Sequence, residues 1–132
     1  MATLQAATQQ FYNALNSMFQ GDVSAMEQIW SHAQDVTYLG PQGGMLIGWN
    51  QVLQAWQKQA QMRLQGKVEP HDIHIIQDGN IAIMQCYEVG TSVVAGKSEQ
   101  VRIRAVNIFR KENGQWKMIS HQTDPLSFLK GH

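Results

Sequence analysis

Residues 30–49, with the sequence WSHAQDVTYLGPQGGMLIGW, constrain the fold more than any other part of the chain. Within them, residues 35–39 alternate between polar and apolar side chains and are β-branched in part, which is typical of a half-buried strand. Gly40 and Pro41 end that strand, because glycine tolerates unusual backbone angles and proline donates no backbone hydrogen bond. The segment therefore predicts a helix end, a short strand, a turn, a second short strand and a helix start.

Apolar residues at helical spacing predict three helices in the first half of the chain. The first covers residues 3–20, and the second begins at Asp22 or Ser24, since both residue types cap helix N-termini well. The third covers residues 51–65 and carries one apolar stripe, formed by Val52, Leu53, Trp56, Ala60 and Leu64.

Strand patterns follow Gly66, at residues 68–77, 80–89, 100–110 and 115–124. Asp78-Gly79 and Asn113-Gly114 are strong signals for hairpin turns between the first and the last pairs of these strands. At 132 residues, the chain is long enough for one domain over residues 1–132 with a core of its own. These elements predict an α+β fold in which three N-terminal helices pack on a curved antiparallel sheet.

The last hairpin allows its two faces to be assigned. The turn at Asn113-Gly114 predicts three facing pairs on one side of the sheet: Ala105 with His121, Asn107 with Ile119, and Ile103 with Thr123. This face is small and apolar with a few polar groups, as ligand pockets are. The outer face then carries larger side chains, namely Arg104, Val106, Ile108, Trp116 and Met118.

Three motifs carry a resemblance to a known family. FYNALNSMFQGD is similar to the opening helix of ketosteroid isomerases, and DVTYLGPQG is similar to their first strand and turn. AVNIFRKENGQWKMISHQTD resembles the closing hairpin of SnoaL-like proteins. The chain thus resembles the SnoaL-like and ketosteroid isomerase-like proteins of the nuclear transport factor 2-like superfamily. The resemblance implies a cone-shaped domain whose pocket lies beneath a lid of helices.

The resemblance does not extend to the isomerase chemistry. The catalytic aspartate of that family falls on Gly40, and its protonated oxyanion-hole aspartate falls on Asn107. The oxyanion-hole tyrosine falls on Phe11, while Tyr12 is one residue away and is expected to face elsewhere, by about 100° around the helix. An enolate needs a base to create it and donors to hold it, so ketosteroid isomerase activity is excluded.

We expect His121 to be the acid or base of the pocket and Asn107 to donate a hydrogen bond to a developing negative oxygen. Two structural alternatives stay open: a histidine hydrogen-bonded within the sheet, and a buried amide satisfied by backbone groups. The remaining pocket walls are expected to come from helices, the first strand and the closing hairpin, as Phe11, Leu15, Trp30, Tyr38, Gly40, Trp56, Ala105, Ile119 and Thr123.

Other ionisable residues are less promising. Glu88 would be an acid of raised pKa if its strand face is interior, although a charge at the pocket rim is the preferred interpretation. His32 is expected to cap the end of the second helix. His71 and His74 fall on opposite faces of a strand, which argues against a metal site, and we expect neither a metal nor a cofactor.

The charge balance excludes two classes of partner. Ten basic and ten acidic residues cancel, which argues against nucleic acid or an anionic membrane. No apolar run approaches the roughly 20 residues that span a bilayer, and the N-terminus has no secretory signal pattern. Cys86, the single cysteine, cannot form an intrachain disulfide and fits a reducing compartment, so we expect a cytoplasmic protein.

Two classes of function stay open. The first is a binding or assembly module that encloses a small apolar or aromatic ligand. The second is an enzyme that catalyses an isomerisation, dehydration or cyclisation with His121 as acid or base. In either case we expect a homodimer formed through the outer sheet face, because its large apolar side chains Trp116, Met118, Val106 and Ile108 would be costly to leave in water.

Overall fold

The computed structural model describes residues 3–129, which form three helices and six strands. In chain order these are α1 (Leu4–Phe19), α2 (Ser24–Ile29), β1 (Thr37–Leu39), β2 (Leu46–Ile47), α3 (Trp49–Met62), β3 (Lys67–Asp78), β4 (Ile81–Val94), β5 (Lys97–Glu112) and β6 (Gln115–Thr123). Thr3 is the N-cap of α1, since its side-chain oxygen accepts the Ala6 N–H at 3.1 Å. The predicted α+β class and the three helices are confirmed.

All six strands form one sheet, in the order β2-β1-β6-β5-β4-β3. Strands β3 to β6 form the antiparallel succession that the sequence predicts, and β2 is antiparallel to β1. The pairing of β1 with β6 is parallel, so the sheet is mixed and the expectation of a purely antiparallel sheet was wrong at that position. Parallel pairing is possible there because α3 and four strands separate β1 from β6 in the chain and provide the crossover.

A bulge in the last hairpin changes which side chains face the core. The Asn113-Gly114 turn pairs Phe109 with Met118, but beyond it Ile108 pairs with Ser120, so Ile119 is left without a partner on β5. One extra residue on one strand reverses the inward and outward positions on that strand. Trp116 and Met118 therefore lie buried on the inner face with Phe109, and their predicted outer position was wrong.

Past the bulge, the observed register differs by two residues from the predicted one. Asn107 lies opposite His121 and not opposite Ile119, and Ala105 lies opposite Thr123. A shift by an even number of residues leaves each side chain on its face. The four residues therefore share the inner face, as predicted, although their partners were assigned wrongly.

The core lies between this inner face and the helices, and aromatic rings fill its centre. The Trp56 ring lies 4.6 Å from the Tyr38 ring and 6.4 Å from the Phe11 ring, measured between centroids. Such offset and edge-on contacts are the arrangements that aromatic rings prefer. Within residues 3–129, no helix is both long and apolar enough to cross a membrane.

Candidate functional site

Four buried polar side chains meet beneath α1, at the inner face of three neighbouring strands. Tyr12 comes from α1, Glu88 from β4, Asn107 from β5 and His121 from β6. Each is at most 4% exposed. Burying polar groups is costly unless they are hydrogen-bonded to one another, so a cluster of this kind needs a complete network.

One continuous set of hydrogen bonds joins the four side chains. The Asn107 amide donates to the Tyr12 hydroxyl at 3.0 Å, and that hydroxyl donates to Glu88 Oε2 at 2.9 Å. Asn107 Oδ1 lies 2.5 Å from His121 Nδ1. Because an amide oxygen can only accept, Nδ1 carries the imidazole proton. The other nitrogen, Nε2, keeps its lone pair and lies 3.8 Å from Glu88 Oε2.

Burial keeps both titratable members of this network neutral over a wide pH range. It raises the pKa of Glu88 to about 7, against the opposing effect of the Tyr12 hydrogen bond. It lowers the pKa of His121 to about 3. The two groups are close enough for an ion pair, yet separating charge in this apolar interior is unfavourable, so we assign a carboxylic acid beside a neutral imidazole.

Tyr12 remains a hydrogen-bond donor in this setting. Burial and the neighbouring Glu88 raise the pKa of its phenol well above the ordinary value. The phenol oxygen therefore keeps its proton at neutral pH. When Glu88 ionises, this O–H stabilises the carboxylate, which limits how far burial can raise the pKa of Glu88.

Glu88 and His121 line a small, partly enclosed cavity of about 40 Å³. Its other walls are mostly apolar and include Leu15, Phe19, Val101, Ile103, Leu126 and Leu129. Two further lining residues, Trp56 and Ser92, have a buried indole N–H and a buried hydroxyl without a hydrogen-bond partner among residues 3–129. The cavity thus combines an acid, an imidazole lone pair and two unpaired polar groups within an apolar shell.

The structure brings part of the predicted site to this cavity. Leu15, Tyr38, Trp56 and His121 line it. Asn107 is buried on the same face but does not line the cavity, and its amide is already bonded to Tyr12 and His121. The role of Asn107 as a donor to the ligand stays a prediction, and in this structure Asn107 holds the other two side chains in place.

The remaining predicted wall residues lie outside the cavity lining. Phe11 packs behind the His121 ring, at 4.8 Å between centroids, and Trp30 packs against Trp49 and Trp56. Gly40 is required by packing, because a Cβ there would lie 2.3 Å from the Tyr38 hydroxyl oxygen.

Three wall residues from the closing hairpin were also misplaced. Ala105 and Thr123 border a separate surface depression beyond Asn107, together with Arg104 and other residues. Ile119 is the bulge residue of β6, so its side chain leaves the pleated alternation that the prediction assumed.

Two members of the cluster, Glu88 and Tyr12, face the interior although the sequence predicted otherwise. Glu88 was expected at the rim, but β4 stays regularly pleated and directs it inward with Met84 and Cys86. Tyr12 was expected to face away, but α1 buries a wide stripe that includes both Phe11 and Tyr12. The signal for Tyr12 was present in the sequence, since Leu4, Ala7, Thr8, Phe11, Tyr12 and Leu15 together form an unusually broad inner face.

Other ionisable residues near the site make contacts that stabilise the fold. Asp124 forms an ion pair with Arg104 at 2.9 Å. His32 Nε2 lies 2.7 Å from the Glu27 carbonyl oxygen, near the end of α2, and the ring stacks on Trp49. Within the described part of the chain, no group of three or more histidine, cysteine or acidic residues is arranged to hold a metal ion.

Comparisons with solved structures support the fold. The chain is similar to a candidate dehydratase of the nuclear transport factor 2-like family from Streptomyces avermitilis, with a TM-score of 0.81 and 23% identity over 93% of this chain and 94% of that one. A candidate calcium/calmodulin-dependent protein kinase type II association domain from Thiobacillus denitrificans gives a TM-score of 0.81 and 22% identity over 96% and 98% of the two chains. A candidate aromatic ring hydroxylase from Novosphingobium aromaticivorans gives 0.76 and 17% identity over 93% and 86%.

The three relatives have different assigned activities, and at these identities the similarity concerns the fold alone. No curated protein matches the chain at a significant level. The SnoaL-like domain family, in contrast, matches residues 4–126, which is nearly the whole chain. This protein therefore belongs to the SnoaL-like domain family.

Proposed function

We propose that this protein is an enzyme that moves a proton on a small, mostly apolar carbonyl compound, with Glu88 as the acid–base group. The observation that carries this proposal is a buried carboxyl group at a cavity wall whose pKa is about 7. A general acid–base group is most effective when its pKa lies near the working pH. His121, with a pKa of about 3, is a poor proton carrier at neutral pH.

The surrounding groups support a defined division of roles. As a carboxylate, Glu88 would take a proton from the carbon beside a carbonyl group, and the electron pair of the broken C–H bond would move to the carbonyl oxygen. Trp56 and Ser92 carry the unpaired donors suited to that oxygen. After exchange with solvent, return of the proton to the same carbon gives isotope exchange, and transfer to the far carbon of an adjoining C=C bond gives isomerisation. Transfer to a β-hydroxyl group, as its C–O bond breaks and the enolate electron pair forms a C=C bond, releases water and gives dehydration.

Deuterium exchange on a simple ketone tests this function. 2-Indanone is flat and apolar and has acidic C–H groups beside its carbonyl, so its exchange in D₂O can be followed by proton NMR. We expect catalysed exchange whose rate increases as the pH rises through about 7, where Glu88 becomes a base. Glu88→Gln should lower the catalysed rate at least about 100-fold.

The matched control is Glu69→Gln, which changes an exposed glutamate in the same way and should leave the rate unchanged. Equal exchange by wild type and Glu88→Gln would contradict the proposed role. A domain that binds the ketone without accelerating exchange would instead be the binding module that the sequence left open.

We also propose that the outer sheet face pairs two copies of the chain. Ile76, Ile83 and Ile108 are direct cross-strand neighbours on β3, β4 and β5, and Val106 is half-buried on the same face. The patch carries no unbalanced charge, because the adjacent Arg104 is paired with Asp124. A continuous apolar strip of this kind can pack on its own copy across a two-fold axis.

Light scattering after size-exclusion chromatography tests this pairing. We expect wild type to elute with twice the mass of one chain and Ile83→Lys to elute as a monomer, because the substitution buries two uncompensated charges at the interface. Ile47→Lys, at a 51% exposed isoleucine on β2, is the control and should remain dimeric. A monomeric wild type at micromolar concentration would overturn the proposal.

A further inference from the structure

An open groove of about 580 Å³ lies next to the cavity and shares three lining residues with it. One wall is a face of α3 with side chains at helical spacing, formed by Gln51, Gln54, Ala55, Lys58 and Met62. The opposite wall is the turn between β1 and β2, which includes Gly43, Gly44 and Met45. The volume falls in the range of small-molecule sites.

Three residues separate the groove from the cavity. Gln59, Leu64 and Leu129 line both spaces. The Gln59 amide donates to the Tyr38 hydroxyl at 2.6 Å, and Leu129 belongs to a C-terminal turn that is attached to the β1–β2 turn by one hydrogen bond, from the Leu126 N–H to the Pro41 carbonyl oxygen. Small rearrangements of these side chains would therefore join the two spaces.

A ligand can contact Glu88 only if the groove and the cavity are joined, because the cavity by itself is too small to hold it. A space of about 40 Å³ accommodates little more than one or two water molecules. Benzene already occupies an engineered cavity of roughly 150 Å³ in another protein. A ligand that contacts Glu88 must therefore displace the residues between the spaces and extend into the groove.

The chemistry of the groove indicates which ligand suits it. The apolar part of the lining consists of Met45, Leu46, Ala55, Met62, Leu64 and Leu129, together with Gly43 and Gly44. The polar lining consists of four glutamines and Lys58, and no described lining residue carries a carboxylate. An ammonium group donates only, and a glutamine amide can donate or accept. Because no acidic residue is among the described lining residues, the positive charge of Lys58 suits a ligand anion.

We propose that groove and cavity form one elongated site for an apolar carbonyl compound that ends in a carboxylate. The carboxylate contacts Lys58, and the apolar body passes Leu129 to reach Glu88. The inner end of this assignment rests on the proposed function, whereas the outer end rests on the groove lining alone. Lys58 is then a residue that determines specificity and takes no part in proton transfer.

Calorimetric titration with octanoate and octan-1-ol tests the outer end, because these probes share one chain and differ in charge. At about pH 8 and low salt, wild type should bind octanoate more tightly than octan-1-ol. Lys58→Met keeps the length of the side chain and removes its charge, so it should weaken octanoate binding about fivefold and leave octan-1-ol unchanged. Lys97→Met, at the exposed lysine that begins β5, should change neither affinity.

NMR of protein labelled with ¹³C at glutamate carboxyls tests the inner end in the same samples. Octanoate should shift the Glu88 signal, because the chain displaces solvent beside that carboxyl group. Binding that leaves the Glu88 signal unchanged would overturn the joined site. Two results would overturn the contact between Lys58 and the carboxylate. One is that Lys58→Met weakens the binding of octanoate and octan-1-ol equally, and the other is that Lys97→Met weakens octanoate binding as much as Lys58→Met does.

These results are distinguishable from failure of the proposed function. If Glu88 titrates near 7 in the NMR experiment but octanoate and octan-1-ol bind alike, the buried acid stands and the outer subsite does not. If octanoate binding depends on Lys58 while Glu88 titrates near 4.5, the outer subsite is supported and the acid–base role of Glu88 is not.

Discussion

Glu88→Gln and His121→Phe should give the protein opposite dependences of stability on pH, while wild type changes little between about pH 4.5 and 6.5. In that interval the folded protein holds one proton, on Glu88, and the unfolded chain also holds one, on His121. Equal proton binding in the two states gives no pH dependence from this pair. Each variant removes one of the two titrating groups, so only the pH dependence of the other group remains.

The contribution of Glu88 falls as the pH rises. Its pKa is about 7 in the folded protein and 4.5 in the reference state, so its stabilising effect is fully present below about pH 4.5 and is lost by about pH 7. This dependence alone remains in His121→Phe. The free energy of unfolding of that variant should therefore decrease across the interval, by on the order of 1 kcal/mol per pH unit.

The contribution of His121 has the opposite sign. Its pKa is about 3 in the folded protein and 6.5 in the reference state, so its stabilising effect is present above about pH 6.5 and is lost as the pH falls towards 3. This dependence alone remains in Glu88→Gln. The free energy of unfolding of that variant should increase with pH over the same interval, with a similar slope.

Urea denaturation at several pH values measures both slopes relative to wild type, which removes the contribution of the exposed carboxylates common to all three proteins. The sign of the difference is the critical result. Parallel curves for the three proteins would contradict the assignment of a neutral carboxyl group beside a neutral imidazole, since an ordinary ion pair loses stability at both ends of the pH range.

Asn107→Leu should cost about 2–4 kcal/mol of stability, because it removes a fully buried amide that has partners on both sides. Leucine is similar in size, so the cavity term is small. The loss comes from the His121 Nδ1–H and the Tyr12 hydroxyl, each left with one hydrogen bond fewer. Urea denaturation measures the change in the free energy of unfolding.

Asn13→Leu is the matched control, because Asn13 is exposed on α1 and the same substitution there should change stability by no more than about 0.5 kcal/mol. A second measurement separates positioning from plain packing. In wild type, ¹⁵N NMR of His121 should show the proton on Nδ1, and Asn107→Leu should shift the ring towards the Nε2–H tautomer. An unchanged tautomer with reduced stability would mean that Asn107 acts only through packing.

Local sequence determined the order and type of the elements. The Asn113-Gly114 hairpin, the strand that ends at Gly40 and the apolar stripes of α1 and α3 each follow from residues close together in the chain. The same evidence correctly grouped Asn107 with His121 on one face of the sheet. These features are predictable because turn geometry and side-chain periodicity depend on a few neighbouring residues.

Tertiary structure alone decided which of these groups meet. The bulge at Ile119 placed Trp116 and Met118 inside, and no local pattern marks where an extra residue is accommodated. The docking of α1 brought Tyr12 to Glu88 across 76 residues of chain. The acid at the centre of the proposed site therefore depends on long-range packing, because the pKa of Glu88 is set by what surrounds the carboxyl group and not by its neighbours in sequence.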